Sequence, residues 1–187
     1  MLEDHSVKIL TVMSPSDPDF YPQPERPWAR TTRRMVLSWF GCGLAPVAPG
    51  TMGSLGAIPL AAAIHWSFGP ATLAVCAIIL FFAGWGITAA HLHGVGDGED
   101  PQWIVVDEVA GQWLVLAAVP LHPLSYLLAF GLFRLFDIVK PWPVSWADRQ
   151  VGGALGIMLD DLLAGLYAAV VASLLLLAFR VLGTASP

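Results

Sequence analysis

The chain has 187 residues, of which 56% are hydrophobic and only 12% are charged, with a net charge of −5 and a mean hydropathy of +0.67. Soluble domains usually carry about 25% charged residues, so this composition argues against a soluble protein and predicts an integral membrane protein. The chain has no dense Lys/Arg run that would indicate nucleic-acid binding, and its two cysteines do not form a disulfide framework.

The N-terminal part differs in composition from the rest of the chain. Its first 34 residues are polar and rich in proline, and they contain no hydrophobic core of a cleavable signal peptide. We therefore predict that residues 1–34 form a mostly disordered tail and that residues 35–187 form a membrane-embedded domain.

The region that follows the tail begins apolar but is interrupted by glycines and prolines, up to residue 53. Non-helical backbone at membrane depth must be buried in protein or line a wet cavity. Residues 50–54 are predicted to be a loop that leads into a helix, with Ser54 as its N-cap. The free N–H groups of such a helix start would suit a phosphate.

Five apolar segments follow, and a spanning helix needs about 20 apolar residues. We predict an all-α integral membrane protein, a polytopic bundle of about four to five transmembrane helices. The first segment is short and contains Pro59, so it is either a spanning helix or a re-entrant, broken one. The segments cover residues 54–68, 71–92, 105–119, 124–139 and 157–182.

The connections between the segments suggest an orientation. Turns at residues 68–70 and 120–123 are tight, whereas residues 94–103 and 140–156 form longer polar stretches. If each segment crosses once, the tail and both long loops lie on one side with every Lys and Arg except Arg180. Cytoplasmic loops carry excess Lys and Arg, so this side is predicted to be the cytoplasm; a re-entrant first segment would invert everything after it.

Charged residues collect at the predicted helix ends on that side. Taken singly, each group has an ordinary explanation, because acids are favoured in a first helical turn and a charge ladder suits a membrane boundary. Together they form a constellation, and a divalent cation would relieve the repulsion between its acids. The groups are Asp107 and Glu108 at the start of the third segment, Arg134, Asp137 and Lys140 on one helix face, Asp148 and Arg149, and Asp160 and Asp161 entering the fifth segment.

This arrangement favours phosphate-ester chemistry. Carboxylates do not bind an anionic phosphate directly, but Mg²⁺ takes carboxylate and phosphate oxygens together. It would polarise the phosphoryl group and activate water, while Arg134, Lys140 and Arg149 would hold phosphate oxygens. The sequence contains neither a Walker A loop nor a Cys followed by five residues and Arg.

Three segments of the chain resemble the phosphatidylglycerophosphatase A family, over about residues 40–175. They are FGCGLAPVAPGTMGSLGAIPL, IVVDEVAGQW and FRLFDIVKPWPVSWADRQVGGALGIMLDDLLAG. The resemblance implies a Mg²⁺-dependent enzyme of the bacterial inner membrane, multi-pass, with its active site facing the cytoplasm. It would hydrolyse phosphatidylglycerophosphate in the bilayer to phosphatidylglycerol and inorganic phosphate.

The family's motifs fall on specific residues here, although the resemblance does not assign a role to each. Its Gly-Thr-x-Gly-Ser element falls on Gly50, Thr51, Gly53 and Ser54. Its acidic positions fall on Asp100, Asp107, Glu108, Asp137, Asp148, Asp160 and Asp161.

Our interpretation divides these residues by role. Asp107, Glu108, Asp160 and Asp161 are expected to bind the metal, with Asp137 as a further ligand or general base, and Asp100 and Asp148 as outer catalytic groups or proton carriers. The substrate phosphate is expected at Thr51, Ser54, Arg134, Lys140 and Arg149. A metal-activated water is the expected nucleophile, and an aspartyl-phosphate intermediate is the alternative.

Two other classes of function compete with this interpretation. A transporter would also use broken helices and acids, but its acids would lie near the bilayer midplane rather than at helix ends. A non-catalytic membrane subunit would tolerate alanine at Asp107 or Asp160 without loss of phosphatase activity. The sequence does not predict the number of metal ions or the oligomeric state.

Overall fold

The structure, a computed structural model, describes residues 26–95 and 101–184. Within these ranges all regular secondary structure is helical, so the predicted all-α class is confirmed. A short 3₁₀ turn, Cys42–Leu44, lies between the first two of seven α-helices. The helices are α1 (Pro27–Leu37), α2 (Pro49–Phe68), α3 (Pro70–Val95), α4 (Val106–Ala117), α5 (Pro123–Val139), α6 (Val144–Gln150) and α7 (Gly153–Thr184).

The chain divides into two compact units, Met1–Thr31 and Thr32–Pro187, and the bundle described below belongs to the second. Residues 27–34, part of the predicted disordered tail, are helical as the beginning of α1. The rest of that tail up to residue 25, and Asp100, lie outside the described residues, so their predicted properties stay predictions.

Two helices are long and apolar enough to cross a bilayer: Pro70–His93 with 24 residues and Gly153–Leu182 with 30. By contrast, α4 has 12 residues and is about 18 Å long, whereas a hydrocarbon core is about 30 Å thick. The described residues therefore support two membrane-capable helices, and the predicted number of four to five is not confirmed.

Helix α4 is the centre of the bundle. It contacts α2, α3, α5 and α7, and nine of its 12 residues are buried. The backbones of α4 and α7 approach closely, because a Cβ added at Gly165 would lie 2.5 Å from the carbonyl oxygen of Gly111. A polar side chain on α4 is consequently held inside the protein.

The start of α2 differs from the prediction. The helix begins at Pro49, with Ala48 as N-cap, because proline lacks an N–H and its fixed φ suits the first helical position. The prediction that Ser54 is the N-cap was wrong: Ser54 is buried inside α2, where its Oγ donates a hydrogen bond to the carbonyl oxygen of Gly50 at 2.8 Å. Helix α2 continues without interruption through Pro59.

The region before α7 also differs from the prediction. The loop predicted over residues 140–156 contains helix α6, and α7 already begins at Gly153, whose φ of +65° is readily adopted by glycine. Asp160 and Asp161 therefore lie about two turns inside α7, and the prediction that they open this helix was wrong.

Candidate active site

The candidate site forms where several helix ends meet. Helices α2 and α4 begin there, α5 ends there, and α7 passes by in its third turn. The opposite end of the bundle is marked by a hydrogen bond from Ser173 Oγ to the Ala118 carbonyl oxygen at 3.4 Å. Charged side chains on α4, α5 and α7 are thus brought to one end of the bundle, beside the start of α2.

Three carboxylates form the innermost part of the site. Asp107, Glu108 and Asp161 each offer an oxygen, and these oxygens all lie within 4.8 Å of one another. Asp107 and Asp161 are 7% and 4% exposed, and the backbone N–H of Glu108 donates to Asp107 Oδ1 at 3.0 Å. We call these three residues the carboxylate trio; like charges at this spacing repel strongly when they are buried.

Two further acids surround the trio. Asp137 is close enough to repel Glu108 and Asp161 electrostatically, and Asp160 is close enough to repel Asp107 and Asp161. The structure thus brings together all five residues that the sequence predicted on the metal side, although their metal-binding role itself stays a prediction.

The donor set fits a hard divalent cation. Glu108 Oε2 and Asp160 Oδ1 are buried and have no hydrogen-bond partner among the described residues, and a buried charge without compensation is strongly unfavourable. All of the available atoms are carboxylate oxygens, the ligand type of Mg²⁺ and Ca²⁺. Gly50 leaves room for them, since a Cβ at this position would overlap Glu108 Oε1.

Arg134 connects the acids to the start of α2. Its Nη1 lies 2.7 Å from Asp137 Oδ2 and donates to Ser54 Oγ at 3.3 Å. A Cβ at Gly50 would lie 3.3 Å from the same nitrogen. The guanidinium is therefore held against the trio and beside the first turn of α2.

Lys140 belongs to a different part of the site from the one predicted. It ends α5 as a C-cap in the left-handed conformation, with φ 47°, so it leaves the face that Arg134 and Asp137 share. Its ammonium pairs with Asp148 and, at 2.6 Å, with Asp160 Oδ2. Burial lowers the pKa of Lys140, but the hydrogen bonds and charges of Asp148 and Asp160 outweigh this effect and raise it above its ordinary value. The two carboxylates thus favour the charged form of Lys140.

The remaining predicted phosphate-binding residues are placed less closely. Thr51 is half-buried in the first turn of α2, next to Gly50, and Arg149 is exposed on α6. Among the described residues, no ion pair joins Arg149 to the acidic cluster. Their roles in binding stay predictions.

Sequence reasoning missed Gln112. This side chain is fully buried, and neither its amide nitrogen nor its amide oxygen has a partner among the described residues. It follows Glu108 by four residues on α4, so the two side chains are neighbours on one helix face. A single carboxamide among the apolar residues that follow the acidic first turn of α4 was the signal that could have identified it.

Comparison with known proteins places this chain in a family. The profile of phosphatidylglycerophosphatase A matches residues 35–176. The Escherichia coli K12 protein named phosphatidylglycerophosphatase A is 41% identical over an alignment of 152 residues that covers 75% of this chain and 85% of that protein. The Haemophilus influenzae protein of the same name is 38% identical over 133 residues, 71% of this chain and 81% of its own.

A third relative has a different name. A Bacteroides thetaiotaomicron protein named putative phosphatidylinositol-3-phosphatase is 41% identical over 138 residues, which are 71% of this chain and 86% of that protein. No solved structure matches the chain.

Proposed function

Because the chain belongs to the phosphatidylglycerophosphatase A family and is thus a phosphatase, we propose that it hydrolyses the terminal phosphate of phosphatidylglycerophosphate. The products are phosphatidylglycerol and inorganic phosphate. The observation that supports this proposal most directly is the buried carboxylate trio beside Arg134, at one end of the helical bundle.

We propose Mg²⁺ as the cofactor, held by the trio together with Asp160. When bound, the cation would neutralise the carboxylates and draw electron density from the phosphoryl group. The orphaned oxygens of Glu108 and Asp160 and the all-oxygen donor set support this choice.

In the proposed mechanism the chain's own residues orient the phosphate and move a proton. Arg134 can present two N–H groups to phosphate oxygens, and its position beside Ser54 and the α2 start would aim the ester at the acids. Asp137, 2.7 Å from Arg134, accepts a proton from the attacking water. The water oxygen bonds to phosphorus as the bond to the glycerol oxygen breaks. The glycerol oxygen takes up a proton from solvent, and Asp137 releases its own proton to solvent.

Attack by an aspartate carboxylate is the alternative first step. A single turnover in ¹⁸O-labelled water distinguishes the two, because direct attack by water places the label in the released phosphate. Label that appears instead in a carboxylate of the protein would contradict the proposed mechanism.

We also propose a multi-pass protein of the bacterial inner membrane whose site faces the cytoplasm. Helices α3 and α7 are long enough to span. Arg134, Lys140 and Arg149 lie toward the site end, whereas Arg180 lies at the opposite end, in a cavity with Pro120 and Ser173. This bias matches the excess of Lys and Arg on cytoplasmic sides.

The first test is phosphate release by the purified full chain in detergent micelles. We expect release from phosphatidylglycerophosphate with Mg²⁺, and none with EDTA or in Asp107→Ala; Arg180→Ala, at the opposite end, is the control and should remain active. Release that survives Asp107→Ala would contradict the proposed site. No release from a folded wild-type protein would contradict the proposed function and favour a transporter or a non-catalytic subunit.

A 3-phosphorylated phosphatidylinositol is the second candidate substrate, because one relative, also 41% identical to this chain, is named putative phosphatidylinositol-3-phosphatase. Both lipids present a phosphate monoester at a bilayer surface, so the same site chemistry serves either. The ratio of the two kcat/KM values, measured in the same micelles, decides between them.

A further inference from the structure

An open apolar groove runs along the outside of the seam between α2 and α5, with a volume of about 670 Å³. Its α2 wall consists of residues spaced three or four apart, which therefore lie on one face of the helix. Most of the large side chains that line it are partly or well exposed. The main lining residues are Leu55, Ile58, Ala62 and Trp66 on α2, and Leu127 and Phe130 on α5.

Two polar contacts join these helices beside the groove. Toward the charged end Arg134 donates to Ser54 Oγ at 3.3 Å, and farther along His65 Nδ1 lies 2.9 Å from the hydroxyl oxygen of Tyr126. The groove continues past this second contact to Leu121, His122 and Pro123. Eleven residues separate Ser54 from His65, which corresponds to about 16 Å along the helix. The groove thus extends through the apolar depth of the bundle from the charged end.

The charged end of the groove adjoins the candidate active site along both helices. Leu55 directly follows Ser54, and Phe130 lies one helical turn before Arg134. A phosphate held by Arg134 therefore sits at the mouth of an apolar channel. Such a change from charge to hydrocarbon along one line is the polarity pattern of a lipid phosphate ester.

We propose that this groove binds an acyl chain of the lipid whose phosphate occupies the site. The inference rests on the proposed lipid-phosphate activity and identifies where the hydrophobic part of the substrate lies. The chain enters in preference to other bilayer lipids because its covalent connection to the bound phosphate makes its binding intramolecular.

The first test narrows the groove with Ala62→Phe and uses Ala63→Phe as the matched control. Ala62 lines the groove, whereas Ala63 is the next residue, is exposed and lies outside the lining. Both variants are assayed on dioleoyl and dihexanoyl phosphatidylglycerophosphate in the same mixed micelles. We expect Ala62→Phe to lower kcat/KM for the dioleoyl lipid about tenfold, mainly through KM, with the dihexanoyl lipid and Ala63→Phe nearly unaffected.

A second pair of variants keeps the proposal testable if Ala62→Phe does not fold. Leu127 is 65% exposed and lines the groove from α5, and Leu124 is 70% exposed but does not line it. Leu127→Trp should therefore reproduce the loss of long-chain preference, and Leu124→Trp should not. Light scattering of the detergent complexes reports the oligomeric state of each variant.

Each other result would overturn the proposal. Equal loss on both lipids means that the substitutions act on the catalytic site, and no change in preference means that ordinary bilayer lipid fills the groove. A change in oligomeric state without a change in preference means that a second copy of the chain covers it. Failure of the wild type to release phosphate from either lipid would instead contradict the proposed function itself.

Discussion

The acidic end of the bundle contains two groups of carboxylates that differ in how their charge is balanced. Asp148 and Asp160 share the ammonium of Lys140. The carboxylate trio, by contrast, has no ion pair of its own among residues 26–95 and 101–184, although its oxygens lie within 4.8 Å of one another. The first group is partly compensated by a cation of the chain, whereas the second has no such partner and needs a cation from outside. A folded protein that keeps such a cluster of mutually repelling carboxylates is suited to bind a cation.

The largest effect should come from removing one charge of the trio. We expect Asp161→Asn to lower kcat about a thousandfold, because loss of a ligand removes several kcal/mol of charge stabilisation. The same change should raise the unfolding temperature in EDTA, since one of three repelling buried charges disappears. Mg²⁺ should raise the unfolding temperature of the wild type and not of the variant. Equal stabilisation of both proteins by Mg²⁺ would place the metal elsewhere.

The second-largest effect is expected at Gly50, where a substitution reduces the space around the trio without removing any charge. In Gly50→Ala the new Cβ would overlap Glu108 Oε1, so the carboxylate must move. We expect a loss in kcat of about 10- to 100-fold, because small displacements of catalytic groups are costly. Gly86→Ala is the matched control: this glycine lies in α3 with open space at its Cβ. Similar kinetics for the two variants would show that Glu108 need not be where the structure places it.

A smaller effect, on the free energy of unfolding, is expected at Lys140, whose ammonium pairs with Asp148 and Asp160. Lys140→Met would leave Asp160, which is 7% exposed, without its cation. Breaking a buried pair costs about 3–5 kcal/mol, and we expect about 1–3 kcal/mol here because Lys140 is partly exposed and screened by solvent. The double variant Lys140→Met/Asp160→Asn should regain most of this loss, as measured by chemical unfolding. No recovery would show that Lys140 stabilises the fold by packing instead.

The pH dependence of that effect follows from the raised pKa of Lys140. A raised pKa in the folded protein means that the stabilisation is fully present below the unfolded-state pKa of about 10.4. It is lost only as the pH rises through the still higher folded-state pKa. The difference in unfolding free energy between the wild type and Lys140→Met should therefore stay constant from about pH 7 to pH 9.

The sequence was sufficient to select five acids that the structure brings together, but not to predict their pairings. The positions of Asp107 and Glu108 in a first helical turn follow from local composition, and the structure agrees. Lys140 was misplaced because its left-handed backbone takes it off the α5 face. Its partner Asp160 lies 20 residues later in the chain, on another helix, and helical periodicity does not report contacts of that kind.

The predicted starts of α2 and α7 were wrong for a related reason. Hydropathy marks where a segment becomes apolar, whereas a helix begins where backbone geometry permits. Pro49 and Gly153 therefore start α2 and α7 ahead of the apolar runs. The extra turns place Ser54, Asp160 and Asp161 inside helices, where their side chains are buried.

The smallest effect is expected at Arg149, which was predicted to bind phosphate but lies exposed on α6. Charges on the surface interact weakly, and salt screens them over about 10 Å at 0.1 M. We expect Arg149→Ala to raise KM about twofold at low salt, with kcat unchanged and the difference disappearing at high salt. Arg180→Ala, at the opposite end, should change neither. A large, salt-independent fall in kcat would mean that α6 carries Arg149 onto the phosphate during turnover, so that this exposed helix takes part in catalysis.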